Sequence, residues 1–83
     1  MNAAIYTKVI MDKDETWKPA SVTASFRTSD GKTVKESGLT FHRGAPLEYS
    51  HTDAARQVCY KYRLENSFHY APANDGKHDF IFV

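Results

Sequence analysis

Two hydrophobic periodicities organise the chain. Over residues 3–11, Ile5, Thr7, Val9 and Met11 fall on one side of an extended backbone and Tyr6, Lys8 and Ile10 on the other. Apolar groups on both sides predict a strand with an inner position in its sheet. Residues 21–28 alternate strictly, Val22, Ala24 and Phe26 against Ser21, Thr23, Ser25 and Arg27, which is the pattern of a strand with one wet face. A two-residue turn on Asp30 and Gly31 would oppose Phe26 to Lys35 and mix the faces. A three-residue loop of Ser29, Asp30 and left-handed Gly31 opposes Phe26 to Val34 and Thr28 to Lys32, so a bulged hairpin is expected. Val34 has the opposite parity to Leu39 and Phe41, which places a second bulge or a break at Ser37 and Gly38.

The period changes to 3.6 over residues 50–66. Ala54, Ala55, Val58, Cys59 and Tyr62 form an apolar stripe, and Ser50 followed by Asp53 reads as a variant capping box at the helix start. Residues 12–19 read as a charged connection with Trp17 as a lid over one end of the core, and residues 43–49, with Gly44 and Pro46, as the loop entering the helix. Residues 67–71 and 78–83 read as two last strands, joined through Pro72 and a turn at Asn74, Asp75, Gly76 and Lys77. Phe80, Ile81, Phe82 and Val83 are apolar on both faces, so the final segment is expected to be buried. The order β-β-β-α-β-β predicts an α+β fold, an antiparallel sheet of four to five strands with one helix packed on one face.

Eighty-three residues make one domain, 1–83, and a chain of this length buries only about 60 to 65 per cent of the surface that its unfolded form exposes. A deep catalytic pocket would compete with the core for material. A mean hydropathy of −0.58 and the lack of any long apolar run argue against a membrane-spanning helix. The start of the chain lacks the apolar centre of a signal peptide, and a single cysteine, Cys59, forms no internal disulfide, so a cytoplasmic setting is expected. Eleven Lys and Arg against ten Asp and Glu provide no large field for nucleic acid or an anionic membrane.

Chemistry-bearing motifs are sparse. His42, His51, His69, His78 and Cys59 are the only soft metal ligands, and none stands at metal-binding spacing. Cys59 lies within the apolar stripe, where a thiol is an inert core group. His51 with Asp53, and His78 with Asp79, imitate acid-base pairs but fall at element ends where such residues cap and turn. No glycine-rich phosphate loop is present. The expectation is a protein without catalytic residues, cofactor or metal.

A binding surface is better supported. At about 100° per residue, Arg56, Tyr60 and Arg63 fall within a roughly 60° sector opposite the apolar stripe. Arg supplies bidentate donors and Tyr rigid amphipathic area, the residue types of protein interfaces. Tyr49 and Arg43, before the predicted helix, extend the candidate surface, and Tyr62, Phe68 and Tyr70 add further aromatic material. In size and in lack of a chemical motif the chain is similar to the small inhibitors encoded by phages and other mobile elements, among which anti-CRISPR proteins are one group. That resemblance implies docking on a larger protein and occlusion of its nucleic-acid or subunit surface.

The alternative is a small nucleic-acid-binding module. Arg27, Lys32 and Lys35, with Arg43, lie on or near the hairpin and could offer a basic ribbon to a major groove. Three strands feeding a helix, with this hairpin and Thr52, Asp53, Ala54 and Ala55 after it, look similar in layout to the arm-type DNA-binding domains of phage integrases. A third possibility is a homodimer that pairs exposed edges of the terminal strands.

Overall fold

The computed structural model describes residues 4–65 and 68–83. Five strands and one helix follow in the expected order: β1 (Ile5–Met11), β2 (Pro19–Arg27), β3 (Thr33–Leu39), α1 (Leu47–Tyr62), β4 (Tyr70–Pro72) and β5 (Phe80–Phe82). They form one antiparallel sheet of order β3-β2-β1-β5-β4 with α1 across one face, so the α+β architecture holds. β1 sits in the centre, the inner position expected of it.

The hairpin follows from its turn chemistry. Phe26 opposes Val34, Thr28 N donates to Lys32 O at 2.7 Å, and Gly31 adopts φ 88°. A side chain in that left-handed region is strained, which is why glycine closes the loop. The second bulge is also present. Ala24 pairs with Glu36 and Val22 with Leu39, so Ser37 and Gly38 together oppose Thr23 and bring Leu39 back to the side of Val34.

The helix differs from expectation at both ends. It begins at Leu47, three residues early, behind extended Pro46, which makes no side-chain cap bond. Tyr49 N donates to Pro46 O at 3.0 Å in the first turn, and Glu48 in that turn suits the positive end of the helix dipole. Ser50 is therefore no cap: it is buried in the helix interior, and its hydroxyl accepts from His42 N at 2.9 Å. At the other end Arg63 stops the helix in a left-handed conformation (φ 54°), with Leu64 N donating to Cys59 O at 3.0 Å. Asn66 and Ser67, expected to end the helix and open the next strand, lie outside the described residues, as do residues 1–3.

Ala54 and Ala55 are fully buried, so α1 approaches β1, β2 and β5 closely. Ile5, Ala24, Phe26, Ala55, Val58, Cys59 and Phe82 form the core, flanked by Val34, Leu39, Tyr62, Leu64, Phe68 and Phe80. Trp17 does not cover it. The Asp12 carboxylate accepts from the Asp14 and Glu15 amides, Lys18 N returns to Glu15 O, and the folded turn holds the indole 76% exposed. The terminal strands are not edges either. β1 is central and β5 is paired on both sides, while the true edges are β3, which carries Lys35 and a bulge, and β4, which is short and ends at Pro72.

Candidate functional site

The outward face of α1 is set by its docking on the sheet. Ser50, His51, Ala54, Ala55, Val58 and Cys59 point inward, which leaves Tyr49, Arg56 and Tyr60 along the opposite side. Tyr60 is 92% exposed, the most exposed large apolar side chain described. Arg56 is exposed and holds its guanidinium 5.7 Å from the Phe68 ring centre, which restricts where that cation can reach. Arg63 is exposed on the turn that follows Tyr60, held there by the left-handed cap. Arg56 and Tyr60 thus share the outward face of α1, and exposed Arg63 stands at the cap that ends it.

Lys61, next to Tyr60, is not part of this patch. Its ammonium bonds Glu36 of β3 at 2.7 Å, and the Tyr62 hydroxyl donates to the same carboxylate oxygen. The hydrogen bonds from Lys61 and Tyr62 hold Glu36 below the usual carboxylate range, while the same hydrogen bonds, and then the Glu36 charge, raise both the Lys61 ammonium and the Tyr62 phenol. This pairing ties the C-terminal turns of α1 to the sheet and leaves Arg56 and Arg63 as the open cations of that end.

Toward the N-terminal half the character changes. α1 lies over β1, β2 and β5, so β4 is uncovered, and a cleft of about 380 Å³ separates them. Tyr49, Thr52, Asp53 and Arg56 form one wall and Tyr70 the other. Asp53 is occupied, accepting from Gln57 at 2.9 Å and meeting His42 Nε2 at 2.8 Å. His42 in turn packs edge-on against Tyr49, with ring centres 4.7 Å apart. Arg43, also exposed, belongs to this end; its charge acts on Asp12 in the β1–β2 turn and is remote from Arg63.

The alternative set is split. Arg27 and Lys35 share the sheet face opposite α1, because Ser25 pairs with both Tyr6 and Lys35. Lys32 is at the hairpin tip and Arg43 lies past the far end of β3, so the four cations do not make one ribbon.

One arrangement was missed in the sequence. Thr7 Oγ1 lies 2.6 Å from His51 Nδ1, and His51 Nε2 lies 3.9 Å from Asp79 Oδ2. The nearby carboxylate favours the proton on Nε2, which makes Nδ1 the acceptor and the Thr7 hydroxyl the donor. Hydroxyl, imidazole and carboxylate in this order imitate a nucleophile and its base. Both Thr7 and His51 are 0% exposed, however, and neither lines the clefts described here, so no substrate carbon can approach the hydroxyl. The arrangement is a polar element of the core. Burial lowers the His51 imidazole from its ordinary range and keeps it neutral, and burial raises the Cys59 thiol, as for an inert core cysteine.

His78 pairs with Asp75 at 2.7 Å, while Asp79 turns away to accept from Val9 N at 3.0 Å. His78 and Asp79 are thus not the acid-base couple that their adjacency suggests. Comparison with protein-family models, with curated proteins and with solved structures finds no match for this chain.

Proposed function

We propose that this is a non-enzymatic binding protein that docks on a larger protein through the outward face of α1, with Tyr60 as the central anchor and Arg56 and Arg63 beside it. The observation that carries this reading is Tyr60: a large ring 92% exposed on a helix whose other face is committed to the core, with exposed Arg56 one turn before it and exposed Arg63 at the helix end. A solvated helix face does not need an aromatic there, whereas Tyr and Arg are the side chains that concentrate binding energy in protein interfaces. The partner surface that fits is acidic around a shallow apolar recess, since Arg56 and Arg63 have no carboxylate of their own among the described ion pairs.

The conformation of Arg63 supports the same reading. A helix ending in the left-handed region is usually closed by glycine, and a side chain there costs about 1 to 2 kcal/mol. Retaining arginine at φ 54° is explained if its guanidinium is used. Occlusion of a partner's subunit or nucleic-acid surface, as by small phage-encoded inhibitors such as anti-CRISPR proteins, is the proposed mode of action. The test is capture from nuclease-treated lysate, identification of the captured protein, and reconstitution with it in purified form. Arg56→Glu, Tyr60→Ala and Arg63→Glu together should abolish the reconstituted complex; a complex retained by this variant refutes the assigned face.

A further inference from the structure

The face of the sheet opposite α1 carries an asymmetry of charge. The strands contain three cations and one acid: Lys8, Arg27 and Lys35 against Glu36. The pairing of Tyr6 with Ser25 and of Ser25 with Lys35 puts Tyr6, Ser25 and Lys35 in one row. Lys8 and Arg27 are each two residues along a strand from that row, hence on the same side. Glu36, one residue from Lys35, is on the other side, where Lys61 and Tyr62 hold it. Every strand cation therefore faces away from the helix and the single strand acid faces toward it.

Lys8, Arg27 and Lys35 are all exposed, and none has an ion-pair partner among the described residues. Two rings share this face. His78 tilts over Tyr6 with ring centres 5.2 Å apart, and its Nε2 lies 3.5 Å from the Ser25 hydroxyl. Asp75 accepts from the Lys77 and His78 amides and pairs with the His78 ring, which fixes the ring's position and spends the Asp75 charge locally. Tyr6, Ser25, Arg27, Thr33 and His78 line a cleft of about 350 Å³ on this face. Apart from the His78 ring, no described element covers it.

We infer that this open sheet face binds single-stranded nucleic acid, with Lys8, Arg27 and Lys35 on its phosphates and the Tyr6 and His78 rings against its bases. Unpaired cations around a fixed pair of rings match a chain that carries both phosphates and flat bases, on a sheet whose exposed pleats allow a splayed strand to lie flat. An acidic protein would use the cations but has no equivalent need for the paired rings. The reading is independent of the docking face on α1, which is on the other side of the molecule, so both surfaces can be occupied at once.

The experiment is fluorescence anisotropy of a labelled dT20 strand with the full chain, and of the same strand as a duplex, with polyglutamate as competitor. Three phosphate contacts predict a slope of log affinity on log salt of roughly −2, a loss of about twentyfold between 50 and 200 mM salt. Lys8→Gln, Arg27→Gln and Lys35→Gln together should remove that slope and the binding; Tyr6→Ala should weaken binding about tenfold. Arg56→Glu with Tyr60→Ala should leave binding unchanged, which separates this reading from the docking reading. On the unaltered chain, amide NMR shifts on adding dT20 should gather at residues 6, 8, 25, 27 and 35. Shifts gathered on α1, equal affinity for the duplex, full competition by polyglutamate, absence of binding at 50 mM salt, or binding indifferent to the triple change would each overturn the inference.

Discussion

Removing the Thr7 and His51 side-chain polarity, singly and together, gives the sharpest test of how the core is built. Thr7→Val is close to isosteric and deletes only the hydroxyl, which leaves fully buried His51 with neither ring nitrogen bonded. His51→Leu keeps the volume packed against Phe80, whose ring centre is 4.5 Å from that of His51, but strands the Thr7 hydroxyl. A buried polar group that loses its partner costs about 1 to 3 kcal/mol, so each single change should destabilise by that amount. The double change removes both orphaned groups and also the Nε2 atom that already lacks a partner. It should therefore lie within about 1 kcal/mol of the unaltered protein, so the coupling between the sites is close to the sum of the two single costs, roughly 2 to 6 kcal/mol. Urea unfolding of the four proteins at pH 7.5 measures all terms. A double variant destabilised by the sum of the singles would refute the bonded core pair.

The same residue sets a pH dependence. Burial depresses the folded-state pKa of His51 below its ordinary value of about 6.5, so between the two values the unfolded chain holds more protons. Stability is then complete above about pH 6.5 and is lost as pH falls through the folded value, with a slope of at most about 1.4 kcal/mol per pH unit for one group. Carboxylates held low by their partners, Glu36 and Asp75 among them, give the same sign but in a more acid window. His51→Leu should flatten the curve just below pH 6.5 and leave the more acid part in place; an unchanged curve contradicts the assignment.

Phe82→Ala empties a fully buried site in the core and should cost about 3 to 5 kcal/mol in urea unfolding. Arg63→Gly should relieve the left-handed cap and stabilise by up to about 1 kcal/mol, while weakening partner binding, a trade that calorimetry and titration against the purified partner resolve together. Glu36→Ala should let the Tyr62 phenol titrate at lower pH in an ultraviolet titration, because the hydrogen bond to Glu36 that raises it most, and the charge with it, are gone.

What could be read from residues alone was what neighbouring residues decide. The hairpin loop, the parity of Val22, Ala24 and Phe26, and the bulge at Ser37 and Gly38 all follow from strand alternation and the few turns that preserve it. The helix start is not legible because Ser50 and Asp53 fit a capping pattern, while the Ser50 hydroxyl is consumed by His42, eight residues earlier in the chain. The position of β5 between β1 and β4 depends on packing that no local pattern encodes. Thr7 and His51 are 44 residues apart, yet each left a trace: a hydroxyl on the same strand face as Ile5, and an imidazole on the side of α1 that carries Val58. Trp17 is expected over one end of the core from its place in the connection 12–19, and tryptophan is highly buried on average. The Asp12 and Lys18 turn bonds fix the loop so that it cannot lie there.

The central claim is that the outward face of α1 is a protein-docking surface. A benzophenone-bearing residue in place of Tyr60, and separately in place of exposed Trp17, irradiated in nuclease-treated lysate, tests it most directly. The account predicts one protein adduct from position 60, competed away by the unaltered chain and absent when Arg56 and Arg63 are changed to Glu. Adducts from position 17 with none from position 60 would contradict it.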